Sequence, residues 1–164
     1  MLSLGVAPYF YMEDRICSFF GHSELEITNE IYTKTAAAIT KAVDDGFRYF
    51  YFGGFGAFDD LCHKIVSDIR ANKPELGITR TYIACSERDV RKPKVWMNST
   101  NYEEITVLPI TFDYWYTRIY YRNCAIIDRS DLIIFYAEER NNSGAYKAYK
   151  YAKTRKKDII LINE

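Results

Sequence analysis

The sequence predicts a Rossmann-like three-layer α/β/α sandwich with a mainly parallel sheet of five to six strands, and three observations predict it. Short runs of apolar and aromatic residues recur along the 164-residue chain, and such runs suit strands buried on both faces of a parallel sheet. Between them lie segments whose apolar residues return every three or four positions, the period of a helix with one buried face. Turns bearing glycine or serine stand at the strand-to-helix junctions, where an open α/β sheet places its ligands.

The elements follow in order. Residues 16–20 (ICSFF) read as the first strand, ending at Gly21-His22. A helix is expected over 28–45, with Ile31, Ala38, Ile39, Ala42 and Val43 on one face, Thr28 as its cap and Gly46 as its stop. The second strand is 47–52 (FRYFYF), and it runs into Gly53-Gly54-Phe55-Gly56. The next helix carries the stripe Phe58, Leu61, Cys62, Ile65, Val66 and Ile69 and stops near Asn72 and Pro74. A third strand covers 79–85, a loop with little regular structure 86–101, and a short fourth strand 105–108 before Pro109. A helix over 113–128, a strand over 131–136, a turn at 141–144, a helix to about residue 155 and a strand over 158–162 complete the chain. Strands and helices alternate, so parallel strands with right-handed crossovers are the expected arrangement.

The length suits one domain over residues 1–164, with residues 1–15 read as a lead-in. That lead-in has no basic start and no long apolar core, so it is a poor signal peptide. No apolar stretch approaches the ~20 residues of a membrane span. Lys plus Arg equals Asp plus Glu at 22 each, a balance that speaks against nucleic acid or an anionic membrane as the main partner. Cys17, Cys62, Cys85 and Cys124 show no metal-ligand spacing. They read as buried free thiols of a reducing, cytoplasmic protein.

Chemistry is expected at three turns. Gly53, Gly54 and Gly56 lie between a strand and an amphipathic helix. They fit either a phosphate cradle built from backbone N–H groups or a turn that needs glycine for packing. The spacing is neither GxGxxG nor a P-loop. Asp59 is placed to cap the helix or to hold a ribose hydroxyl. Ser143-Gly144 opens another helix and serves as an N-cap or as a second phosphate site. Gly21-His22 is the third turn, where His22 is either structural or a donor to a ligand. Arg122, beside Asn123, offers paired donors to a phosphate or makes a surface ion pair.

Nucleophilic catalysis finds no elbow, dyad or HExxH motif here. Glu138 and Glu139 follow the fifth strand, so they are either carboxylates that assist cleavage of an N-glycosidic bond or solvated loop charges. The 15 Tyr, 10 Phe and 2 Trp are the unusual part of the composition. They concentrate in Phe112-Asp113-Tyr114-Trp115-Tyr116 and Tyr120-Tyr121, too many rings for one helix to bury. A homo-oligomer interface or stacking on a ligand base is expected of some of them.

These residues together resemble the SLOG superfamily, the Rossmann-like group named for the Smf/DprA and Lonely Guy proteins, and within it the small stand-alone bacterial branch. Phe19-Phe20-Gly21-His22 resembles that branch's FFGH opening. Phe52 to Asp59 resembles its FGGxxGFD turn. Arg122-Asn123 with Asp128 and Ser130-Asp131-Leu132-Ile133-Ile134 resembles RNxxxxDxSDxLI, and Ser143-Gly144-Ala145 with Tyr151-Ala152-Lys153 resembles GGTxxxxxYAK. The matches run over residues 16–162.

The resemblance implies binding of a nucleotide or an NAD- or ADP-ribose-derived molecule, as a sensor or carrier. The implied pocket contains Gly21, His22, Gly53, Gly54, Gly56, Asp59, Arg122, Asn123, Ser143 and Gly144. Some relatives release a base from a nucleotide, so the alternative is an N-glycosidic hydrolase or transferase using Asp59, Glu138 or Glu139. The chain departs from the pattern in three places. Ser143-Gly144-Ala145 replaces GGT, Tyr121 stands where an acidic residue is usual, and PGGxGTxxE is missing, which argues against phosphoribohydrolase activity of the Lonely Guy type. The resemblance implies no metal and no certain cofactor.

Overall fold

The computed structural model describes residues 14–91 and 101–164. Among the described residues six strands form one sheet: β1 (Ile16–Gly21), β2 (Tyr49–Phe52), β3 (Thr79–Ala84), β4 (Glu104–Val107), β5 (Leu132–Tyr136) and β6 (Asp158–Leu161). Their order is β4-β3-β2-β1-β5-β6, and every neighbouring pair is parallel. The expected Rossmann-like sandwich is therefore present, and its sheet is wholly parallel.

The chain builds outward from β1 through β2 and β3 to β4, then crosses back to place β5 on the other side of β1. Helices α1 (Asn29–Asp44) and α2 (Ala57–Asn72) cover one face. Helices α4 (Arg118–Arg129) and α5 (Gly144–Thr154) cover the other. Because side chains alternate along a strand, Phe19 packs under α1 and α2 while Phe20 packs under α4 and α5. Among the described residues no helix is long and apolar enough to cross a membrane.

Local chemistry explains the helix limits. Thr28 accepts from the Ile31 N–H at 3.2 Å and starts α1. At its end Gly46 takes φ +99°, its N–H donates to Val43 O, and the Phe47 N–H donates to Ala42 O, the paired bonds of a Schellman stop. Phe47 is thereby held outside the sheet, and β2 begins at Tyr49 rather than at 47. The same bonds close α5 around Lys156, which sits at φ +54°.

Two expectations are corrected. Within the segment read as a loop over 86–101, residues Glu87–Arg91 form a short helix, α3. Ser86 starts it, since its carbonyl accepts from the Asp89 N–H and its hydroxyl donates to the Asp89 carboxylate; the remainder, 92–100, lies outside the described residues, as does nearly all of the lead-in. The helix expected from 113 begins only at Arg118, preceded by a 3-10 turn at Trp115–Thr117. Tyr114 is extended, and the Thr117 N–H and hydroxyl both bond its carbonyl. A run of aromatic rings carries weak helix propensity, so these local bonds set the start.

The family-like motifs also have mechanical work. The Tyr151 hydroxyl and Arg155 both bind the Asp128 carboxylate, tying α5 to α4. Ser130 and Ser18 share a buried hydroxyl pair at 2.7 Å, and the Ile16 N–H donates to Asp131 at 2.9 Å. Those contacts anchor β1 to the start of β5.

Candidate functional site

The strand order reverses between β1 and β5, and ligands of open α/β sheets bind beyond the carboxyl ends of strands at such a switch. A cavity of about 580 Å³ lies there, within the usual range for small-molecule sites. Of the ten residues singled out in the sequence, nine line it: Gly21, His22, Gly53, Gly54, Asp59, Arg122, Asn123, Ser143 and Gly144. Gly56 does not. It is the hinge before α2, at φ +99°, and a Cβ there would stand 2.5 Å from the Ser23 backbone.

At the end of β1, Gly21 is glycine because the Phe58 ring rests on it, 2.3 Å from where a Cβ would be. His22 follows, buried, and spans the switch point. Its Nε2 accepts from the Glu138 N–H at 2.8 Å, and its Nδ1 lies 3.3 Å from the Ser143 hydroxyl. An acceptor at Nε2 leaves the proton on Nδ1, so the ring donates to Ser143 in the neutral state. Burial, with the nearby Arg140 charge, lowers its pKa and keeps it neutral. His22 is thus a strut between β1, the end of β5 and the start of α5, with both nitrogens in use.

The glycine turn after β2 is filled by the protein's own carboxylate. Asp59, buried in the first turn of α2, accepts from the Gly54 N–H at 3.1 Å. The Ala57 N–H donates to Ser23 O at 3.0 Å. These amides, which the spacing offered to a phosphate, are satisfied internally. Burial pushes the Asp59 carboxyl up to about 7, against the opposing pull of Arg122.

Arg122 projects from α4 to the floor of the cavity and is buried. Its Nη1 donates to Gly53 O and Ile83 O at 3.2 and 3.3 Å, and its Nε and Nη2 donate to Asn123 Oδ1. Those bonds use four of the five guanidinium N–H groups and fix the plane of the group. Among the described residues no carboxylate lies within ion-pair distance of it. The surface ion pair weighed in the sequence is therefore replaced by a buried cation held by carbonyl oxygens.

The start of α5 is different again. Ser143 caps it by accepting from the Tyr146 N–H at 3.1 Å. Gly144 and Ala145 are the first residues of the helix, whose amides have no intrahelical acceptor, and both line the cavity. A Cβ at Gly144 would meet nothing within 4 Å. This helix end, with its positive dipole, is open to the cavity.

Several lining residues were not singled out in the sequence: Phe55, Tyr82, Arg118, Ile119 and Arg140. Phe55 had a readable signal, as an apolar residue inside a glycine turn, and it is 70% exposed. From the aromatic segment, Arg118 and Ile119 reach the cavity, while its tyrosines do not line it. The two glutamates considered for catalysis are also off the cavity wall. Glu138 is held by Arg140 and the Tyr136 hydroxyl, which lower its pKa, and Glu139 is exposed.

A solved structure with the same architecture is DNA processing protein A (DprA) from Streptococcus pneumoniae. The match has a TM-score of 0.57 and 15% identity, and it covers 88% of this chain. The fold is that of DprA. The chain spans about half of the streptococcal protein, 48% of its length. No protein-family model matches the sequence, and no curated protein matches it. The DprA-like fold thus agrees with the Rossmann-like reading of the motifs.

Proposed function

We propose that the chain binds a nucleotide or an NAD- or ADP-ribose-derived small molecule at the carboxyl edge of its sheet, as a sensor or carrier in a reducing cytoplasm. The observation that carries this reading is Arg122, a buried cation on the floor of a ligand-sized cavity, with no carboxylate at ion-pair distance among the described residues and with Asp59, the acid it attracts across the cavity, pushed up to about 7. Burying a charge without a close ion pair is costly, and an anionic ligand supplies one. The open start of α5 at Gly144 supports a second anionic contact within the same cavity. Phe55, exposed at the rim, offers a ring for a base.

Calorimetry and thermal shift with AMP, NAD, ADP-ribose and inorganic phosphate test it. A ligand at 100 times its dissociation constant adds roughly 2.7 kcal/mol of stability. Arg122→Ala is expected to weaken binding by about ten- to a hundredfold, the worth of charged hydrogen bonds, with Arg122→Lys in between. Absence of any shift across the panel defeats the reading.

One observation favours a second reading, cleavage or transfer at an N-glycosidic bond. Asp59 is a cavity carboxyl pushed up to about 7, a value suited to proton transfer near neutral pH. Free base released from nucleoside monophosphates, and lost in Asp59→Asn, would support it. The DNA processing named for the streptococcal neighbour is checked by a gel shift at physiological salt; the balance of 22 cationic and 22 anionic residues favours the small ligand.

A further inference from the structure

A single peptide unit stands between the two buried charges of the cavity. Its carbonyl, Gly53 O, accepts from Arg122 Nη1 at 3.2 Å, and its amide, the Gly54 N–H, donates to the Asp59 carboxylate at 3.1 Å. Asp59 is 7% exposed and Arg122 8%, and both line the cavity. Among the described residues they form no direct ion pair. The peptide relays each charge to the other. A cation at its oxygen makes its N–H a better donor, and an anion at its N–H makes its oxygen a better acceptor.

The groups around Asp59 add negative charge and no second cation. On α2 the neighbouring Asp60 repels it, while Arg122 from α4 is the cation that opposes. The Cys62 thiol of α2, the Tyr82 hydroxyl of β3 and the Tyr102 hydroxyl before β4 also face it. Burial, and the Asp59 charge with it, raises the pKa of all three, so they stay neutral. An anion bound at Arg122 sets a second negative group against one buried cation. Excess negative charge away from water is costly, and a proton on Asp59 removes it. Burial already pushes this carboxyl up to about 7, so the proton is at hand near neutral pH. A protonated carboxyl keeps an oxygen for the Gly54 N–H, and the turn holds its shape.

We propose that the cavity takes up its anionic ligand together with one proton, which Asp59 holds while the ligand is bound. Proton uptake of this kind rests on the ligand-binding reading above and regulates that same site. By linkage, affinity falls as pH rises through the midpoint of free Asp59, and the bound anion raises that midpoint in return.

ADP-ribose is the probe, because its pyrophosphate carries the same charge throughout the neutral range. Calorimetry on the wild type is expected to give a Kd about tenfold lower at about pH 6 than at about pH 8. Asp59→Asn, whose side-chain oxygen still accepts from Gly54, is expected to bind with one affinity at both. Carboxyl-carbon NMR reads the coupling directly, with Asp59 assigned by its loss in Asp59→Asn. Saturating ADP-ribose should raise the Asp59 midpoint by about one pH unit or more. Ligand-free Arg122→Ala should raise it as well, since the opposing charge is gone. Equal wild-type affinity at both pH values overturns proton uptake and leaves ligand binding standing, whether or not a variant folds. A midpoint that folded Arg122→Ala does not move overturns it without any ligand. Binding of ADP-ribose at neither pH removes the ligand, and the uptake falls with it.

Discussion

The starts of α2 and α5 look alike in the sequence and behave oppositely in the fold. Each follows a strand end on the same rim of the sheet, and each carries glycine. At α2 the Gly54 and Ala57 amides are spent inside the protein, on Asp59 and on Ser23 O. Its glycines are required by close approaches, to Ser23 at Gly56 and to Arg122 Nη2, 2.9 Å from a Cβ at Gly53. At α5 the capping hydroxyl satisfies one amide, and Gly144 faces open space. A glycine at a helix start thus serves packing in one case and access in the other. The residue type alone does not distinguish them; what occupies the missing Cβ position does.

The strongest way to break this comparison is to add a methyl group on each side of it. Gly56→Ala combines a φ of +99° with a clash against the Ser23 backbone. It is expected to lower stability by about 2–4 kcal/mol. Gly21→Ala, which drives a Cβ into the buried Phe58 ring, should cost a similar amount. Urea denaturation measures both, and a loss under 1 kcal/mol at Gly56 would show that its turn is not constrained as described.

Asp59 gives the next largest effect. Asp59→Ala leaves the Gly54 amide without its acceptor, a loss of about 1–3 kcal/mol for a buried group. The folded pKa is raised, from an ordinary 3.8 to about 7. Its contribution is therefore fully present below the unfolded pKa and is lost as pH rises through about 7. Stability of the wild type relative to Asp59→Asn should fall between about pH 4 and 7. A difference that is flat over that window would mean that Asp59 is already ionised.

At the other turn the expected effects are smaller. Ser143→Ala removes a cap and the His22 contact, worth about 1 kcal/mol. Gly144→Ala meets no neighbour and should raise stability by about 0.5 kcal/mol through the unfolded chain. The same methyl group stands over the open helix start and is expected to weaken phosphate-bearing ligands. Calorimetry against ADP-ribose sharpens the contrast, because Gly144→Ala alone should separate binding from folding.

Much of this was readable from residue order. The apolar runs announced all six strands, and the stripes announced α1 and α2, because periodicity is a local property of the chain. Nine of the ten candidate residues share one cavity, since strand-to-helix turns of a parallel sheet must fall on one edge. The start of α4 was missed because Thr117 and Tyr114 bond locally in a run with weak helix preference. Helix α3 was missed because its single turn offers no period to detect.

The sequence by itself determined the layered α/β fold, the rim on which a ligand would sit and the identity of the groups gathered there. Only the tertiary structure decided how those groups are used. It turned Asp59 inward onto the Gly54 amide, made His22 a strut between β1 and α5, left Arg122 buried without a close ion pair and exposed the start of α5. The physical reason is that a hydrogen-bond partner is chosen by proximity across the fold. His22 and Glu138 are 116 residues apart in the chain and meet at 2.8 Å, and no local pattern encodes that distance.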